Sequence, residues 1–230
     1  MLQAFTRRKS RLYERYLGYR EPGERKVSEE DEITALIMGP LEYLTAEAQV
    51  LIWRTILEWH QQDPPLPFPS TEVKGAQMRF WPRTTIEPDL VIELEWVCGA
   101  RRIILVEFKW NAPLSGPDQL HRQWKEFLSD EDKEHALHLF IGPETSSAFN
   151  AMSELDIWGG RLIPRSWSNV ASSLHHLTLN PNRGVSVWSS QVVSFLKLLH
   201  LDGFQGFSQL KLPATIKPQG DSIFFRSASE

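Results

Sequence analysis

The apolar residues of this chain change period along its length, and the change marks where helices give way to strands. Ile33, Leu36, Ile37, Leu41 and Leu44 recur at three- and four-residue spacing, which lines one face of a helix. Acids at 29–32 suit its first turn, Ser28 offers an N-cap, and Gly39-Pro40 interrupts it. A second helix over 46–61 carries Val50, Leu51, Trp53, Ile56, Leu57 and Trp59, and a shorter helical stretch holds Leu12, Tyr13, Tyr16 and Leu17. Asp63 to Pro69 contains four prolines and reads as a loop. Beyond it the chain turns to strands over 76–81, 88–97 and 101–110, the last two joined as a hairpin through Cys98-Gly99-Ala100.

After a Pro/Gly loop at 111–117 the pattern alternates again. A helix from Asp118 to residue 132 precedes a buried strand at 136–141, a helix at 144–157, a strand at 161–164 and a helix at 167–177. A last amphipathic helix covers 189–201. The reading is an α/β domain with a mixed central β-sheet flanked by helices. It spans 28–205, between a basic N-terminal extension (1–27) and an irregular C-terminal tail (206–230).

Composition narrows the class. Of 230 residues, 41% are hydrophobic and 23% charged, a globular balance. No apolar run approaches a membrane span and no secretory h-region opens the chain, so a cytoplasmic protein with no membrane association is expected. A single cysteine, Cys98, excludes an intrachain disulfide and a Cys-rich zinc site. Net charge is −4, so the chain as a whole is no cationic sponge for nucleic acid. Its distribution is uneven: residues 1–26 hold eight Lys/Arg against three acids, and 27–63 hold eight acids against Arg54 alone. The basic arm is either a phosphate contact or a solvated terminus.

Candidate chemistry sits in the hairpin. Asp89, Glu107 and Lys109 fall at the ends of two apolar strands, where charges are costly without partners. Strand alternation projects Glu107 and Lys109 together while Val106, Phe108 and Trp110 face the other way. A turn at 98–100 pairs residues whose numbers sum to about 198, which brings Asp89 near Lys109. Two carboxylates are hard ligands for Mg2+ or Mn2+, and the lysine can orient a water or stabilise developing negative charge. The alternative is an exposed cross-strand salt-bridge face.

Pro88-Asp89 followed by Glu107-Phe108-Lys109 resembles the signature of the PD-(D/E)XK nuclease superfamily, and the resemblance covers residues 28–180. It implies a restriction-endonuclease-like fold and Mg2+-dependent hydrolysis of phosphodiester bonds in a bacterial defence (antiviral) or repair context. DNA is the favoured substrate, and a homodimer or partner protein would supply specificity. It assigns Asp89 and Glu107 to the metal, the Phe108 backbone carbonyl as an extra ligand, and Lys109 to catalysis. Glu30, opening the helix before the sheet, would complete the metal site, with Asp31 and Glu32 as alternatives. Gln119 and Gln123, one turn apart on the following helix, would flank the site. The rival readings are a catalytically inactive binding subunit of a larger complex and a ribonuclease.

Nine tryptophans invite a base-stacking role. Trp53, Trp59, Trp96 and Trp110 fall on core faces, which leaves Trp81 and Trp124 as the two of interest. The seven histidines show no metal-ligand spacing and read as ordinary surface or core residues.

Overall fold

Alternation on the central strands divides the apolar residues between two faces, and the helices cover both. In the computed structural model, residues 2–19, 29–83, 85–110, 114–116 and 118–201 are described. Five strands, β1 (Val73–Phe80), β2 (Leu90–Trp96), β3 (Arg101–Phe108), β4 (Ala136–Gly142) and β5 (Leu162–Ser166), form one sheet in the order β1-β2-β3-β4-β5. The pairs β1/β2 and β2/β3 are antiparallel, whereas β3/β4 and β4/β5 are parallel. This is the mixed sheet flanked by helices that the pattern predicts.

On one face Leu90, Ile92, Ile104, Val106, Leu139 and Ile163 join the larger core. That core is completed by α1 (Leu2–Thr6), a 3-10 turn (Leu12–Leu17), α2 (Glu29–Met38), α3 (Ala46–Leu57) and, later in the chain, α7 (Trp167–His175) and α8 (Arg183–Leu198). On the other face Val91, Ile103, Leu105, Phe140 and Leu162 meet a smaller cluster. It is closed by α4 (Gln119–Arg122), which continues as a π-helical turn (Gln123–Phe127), and by α6 (Ser146–Glu154). Between them α5 (Asp130–Glu134) leads into β4.

The N-terminal segment is built into this core. Phe5 stacks on Phe195 at 5.7 Å, and Leu2, Phe5 and Tyr16 are buried. Ser28, most of the 111–117 loop and the 206–230 tail lie outside the described residues.

Three expectations shift. The hairpin loop is Val97–Gly99: the Trp96 N–H donates to the Ala100 carbonyl at 3.0 Å, and Gly99 takes φ +84°. A three-residue loop closed by a left-handed glycine fixes the register, so Leu90 pairs with Val106 and Glu95 with Arg101. Paired numbers therefore sum to 196 rather than 198, and Asp89 comes level with Glu107 rather than Lys109. The helix expected to reach 132 breaks at Leu128, whose ψ is 133°, and restarts from Ser129, whose hydroxyl accepts the Asp132 N–H at 3.1 Å. The last helix starts at Arg183 rather than 189, capped by the Asn182 side chain.

No helix among the described residues is long and apolar enough to cross a membrane.

Candidate metal centre

The site forms where the hairpin's open end meets the start of α2. Asp89 precedes β2 and is anchored on β3, its Oδ2 accepting the Phe108 N–H at 2.7 Å. Glu107, next to the last residue of β3, is 1% exposed, and Lys109 follows two positions on at 6%. Their side chains share a face, as alternation requires, with Lys109 Nζ 2.6 Å from Glu107 Oε1.

Glu30 arrives from the first turn of α2. Its Oε1 lies 2.8 Å from Lys109 Nζ, and its Oε2 accepts the Trp110 N–H at 3.1 Å. Of the three acids at 30–32, Glu30 is therefore the one that reaches the site. Asp31 is exposed, and Glu32 pairs with Arg15 and Tyr16. Carboxylate oxygens of Glu30, Asp89 and Glu107 all lie within 4.8 Å of one another.

Gln119 and Gln123 form the opposite wall. Gln119 Nε2 donates to Glu107 Oε1 at 2.7 Å and Gln123 Nε2 to Glu107 Oε2 at 2.6 Å. Both glutamines thus meet the same carboxylate from their shared helical face. Phe108, between the two charged residues, turns its ring into the larger core and stacks on Trp167 at 5.8 Å. The Trp167 indole N–H donates to the Lys109 carbonyl at 2.9 Å. Trp167 thereby holds the end of β3 at two successive residues, Phe108 and Lys109.

Three carboxylates around one ammonium leave an excess of negative charge in a largely dry site. Burial, reinforced by the neighbouring Glu107, pushes the Asp89 carboxyl up to about 8. Burial also pushes Glu107 upward, opposed by the Lys109 ammonium and the Gln123 amide. Burial alone would lower Lys109, but Glu107 and Glu30 outweigh that cost and hold it above the ordinary lysine range. Both oxygens of Glu107 accept amide N–H groups, an arrangement suited to a carboxylate, so of the two raised acids Asp89 is the one that carries a proton.

The donor set fits a hard divalent cation: three carboxylates converge, and a second cation beside the lysine would neutralise the remaining charge. The Lys109 ammonium engages one oxygen of Glu30 and one of Glu107.

Several features lay outside the sequence reading. His138, read as an ordinary histidine, is fully buried and bonded to Gln123 and Trp158. Nothing in its local sequence marks it, since its two partners lie on elements distant in the chain from β4. Trp124 is buried against His138 and Arg161, which removes it as a stacking surface. Trp81 is half-buried beyond β1 with φ +44°, and its N–H donates to the Asp89 carbonyl at 3.0 Å.

No protein-family model, curated protein or solved structure matches this chain, and functional assignment rests on the geometry of the site.

Proposed function

We propose that this protein is a metal-dependent nuclease of the restriction-endonuclease-like fold that hydrolyses phosphodiester bonds, with DNA as its substrate. One observation carries the reading: Glu30, Asp89 and Glu107 converge within 4.8 Å around the Lys109 ammonium at the open end of an antiparallel hairpin. The order of elements, a helix followed by an antiparallel hairpin and then parallel α/β units, supports it.

Glu30, Asp89 and Glu107 would hold Mg2+ or Mn2+, with the Phe108 carbonyl as an additional ligand. The ion, when bound, supplies Lewis-acid polarisation of a phosphoryl oxygen and a lowered pKa for attacking water. The chain's own groups do the rest. Lys109 remains protonated, so it serves as a donor to the phosphoryl group and the charge that develops there, not as a general base. Asp89 would release its proton to solvent on binding such an ion. Gln119 and Gln123 hold Glu107 in one orientation. Specificity is assigned to a homodimer or partner protein, consistent with a net charge of −4 that gives weak general attraction to phosphates.

The test is incubation of the purified protein with plasmid DNA, single-stranded DNA and RNA in Mg2+ or Mn2+, beside Lys109→Ala. Cleavage by wild type and its loss in the variant are expected. Equal behaviour of two folded proteins sinks the catalytic reading and favours a binding subunit. Cleavage confined to RNA reassigns the substrate.

A further inference from the structure

A chain of buried hydrogen bonds runs inward from Glu107 and ends on an indole. Gln123 Nε2 donates to Glu107 Oε2 at 2.6 Å, Gln123 Oε1 lies 3.2 Å from His138 Nε2, and the Trp158 indole N–H lies 3.1 Å from His138 Nδ1. Glu107, Gln123, His138 and Trp158 are each at most 1% exposed, so water does not compete for these bonds.

The directions follow from the endpoints. An indole N–H only donates, so His138 Nδ1 must be the unprotonated nitrogen. Nε2 then carries the hydrogen and donates to the Gln123 oxygen. With its oxygen engaged, Gln123 can offer only its NH2 group to Glu107. Trp158 thereby sets the tautomer of His138, His138 sets the amide orientation of Gln123, and Gln123 sets the face that Glu107 presents. Burial drives the His138 pKa down to about 3, which keeps the ring neutral. The helix adapts at this point: Gln123 opens the π-helical turn that follows α4, a local distortion of a kind that recurs at functional sites.

We infer that His138 is a positioning residue for the candidate metal centre, acting through Gln123 to hold Glu107 as a hydrogen-bond-accepting ligand. The inference rests on the metal-site reading above and adds to it a structural element on β4, away from the cluster itself. Without the His138 donor, the Gln123 amide is free to turn its oxygen toward Glu107, where it would repel the carboxylate.

Two substitutions separate positioning from packing. His138→Gln can place an N–H near the position of Nε2 and so retain the donor to Gln123. His138→Asn places its polar atoms nearer Nδ1 and loses that donor, although it also removes volume. Mn2+ affinity is measured by calorimetry on each protein, with folding checked by circular dichroism. His138→Asn is expected to bind about 10-fold more weakly, with His138→Gln close to wild type. Equal affinity of wild type and His138→Asn overturns the inference alone, and failure of wild type to bind Mn2+ overturns it together with the metal-site reading. Long-range 15N–1H NMR of metal-free wild type supplies a readout independent of the variants: the Nε2–H tautomer of His138 is expected, and an Nδ1–H tautomer overturns the inference.

Discussion

Lys109 Nζ lies 2.6 Å from Glu107 Oε1, so a buried ammonium just past the end of β3 and a buried carboxylate two positions before it neutralise each other. Removing one partner of such a pair leaves the other charge uncompensated, which costs far more than an exposed bridge is worth. Lys109→Ala is therefore expected to lower metal-free stability by about 3 kcal/mol, with much of the loss recovered in Mg2+ or Mn2+. Its cleavage activity should fall at least about 100-fold. Denaturant titrations with EDTA and with metal check the first point; an unchanged metal-free midpoint contradicts it.

Asp89 makes metal-free stability depend on pH. Its carboxyl is raised to about 8 in the folded protein, against about 4 in the unfolded chain. A raised acid keeps its proton when folded and loses it when unfolded between those values. Its stability contribution is thus full below pH 4 and lost as pH rises toward 8, with a slope of at most about 1.4 kcal/mol per pH unit. Asp89→Asn, which can still accept the Phe108 N–H, should flatten this slope and be at least as stable as wild type at pH 8. It should also abolish cleavage. A pH series of unfolding curves decides; an Asn variant that is much less stable at pH 8 points to a structural carboxylate.

The same proton should appear when metal binds. At pH 7 Asp89 is mostly protonated and must ionise to act as a ligand, so up to about one proton is released per ion. Calorimetry in two buffers of different ionisation enthalpy measures this release directly. Identical heats in both buffers would mean that Asp89 is not a ligand or is already ionised.

Phe5 tests how far the N-terminal segment belongs to the fold. It is 1% exposed between Phe195 and Tyr13, and Phe5→Ala should cost about 3–5 kcal/mol. The Trp110 indole N–H also donates to the Tyr16 carbonyl at 3.0 Å, which ties the segment to the open end of the hairpin. A thermal melt of the variant is the check, and an unchanged midpoint would show that the contact contributes little.

The sequence made some of this legible because the relevant signals are local. Alternation on β3 places Glu107 with Lys109, and helical spacing places Gln119 with Gln123, without reference to the rest of the chain. The acidic start of α2 offered three candidates, and only packing against Trp110 and Lys109 selects Glu30. Register differs by two from the expected pairing because it depends on which loop residue takes the left-handed conformation, here Gly99. The break before α5 did carry a local mark, Ser129 followed by Asp130, Glu131 and Asp132, the pattern of a capped helix start. His138 carried none, since its role arises only when β4, the π-helical turn and the Trp158 loop meet.

The double hold of Trp167 on Phe108 and Lys109 has a consequence at a distance. Trp167 opens α7 directly after β5, and Ser166 and Asn169 form a capping box around that junction. The junction at the parallel edge of the sheet is therefore in direct contact with the residues that flank and carry the hairpin's charged groups. A change there that loosens the junction would reach the candidate centre through the backbone of β3's end, without touching any of its charged groups.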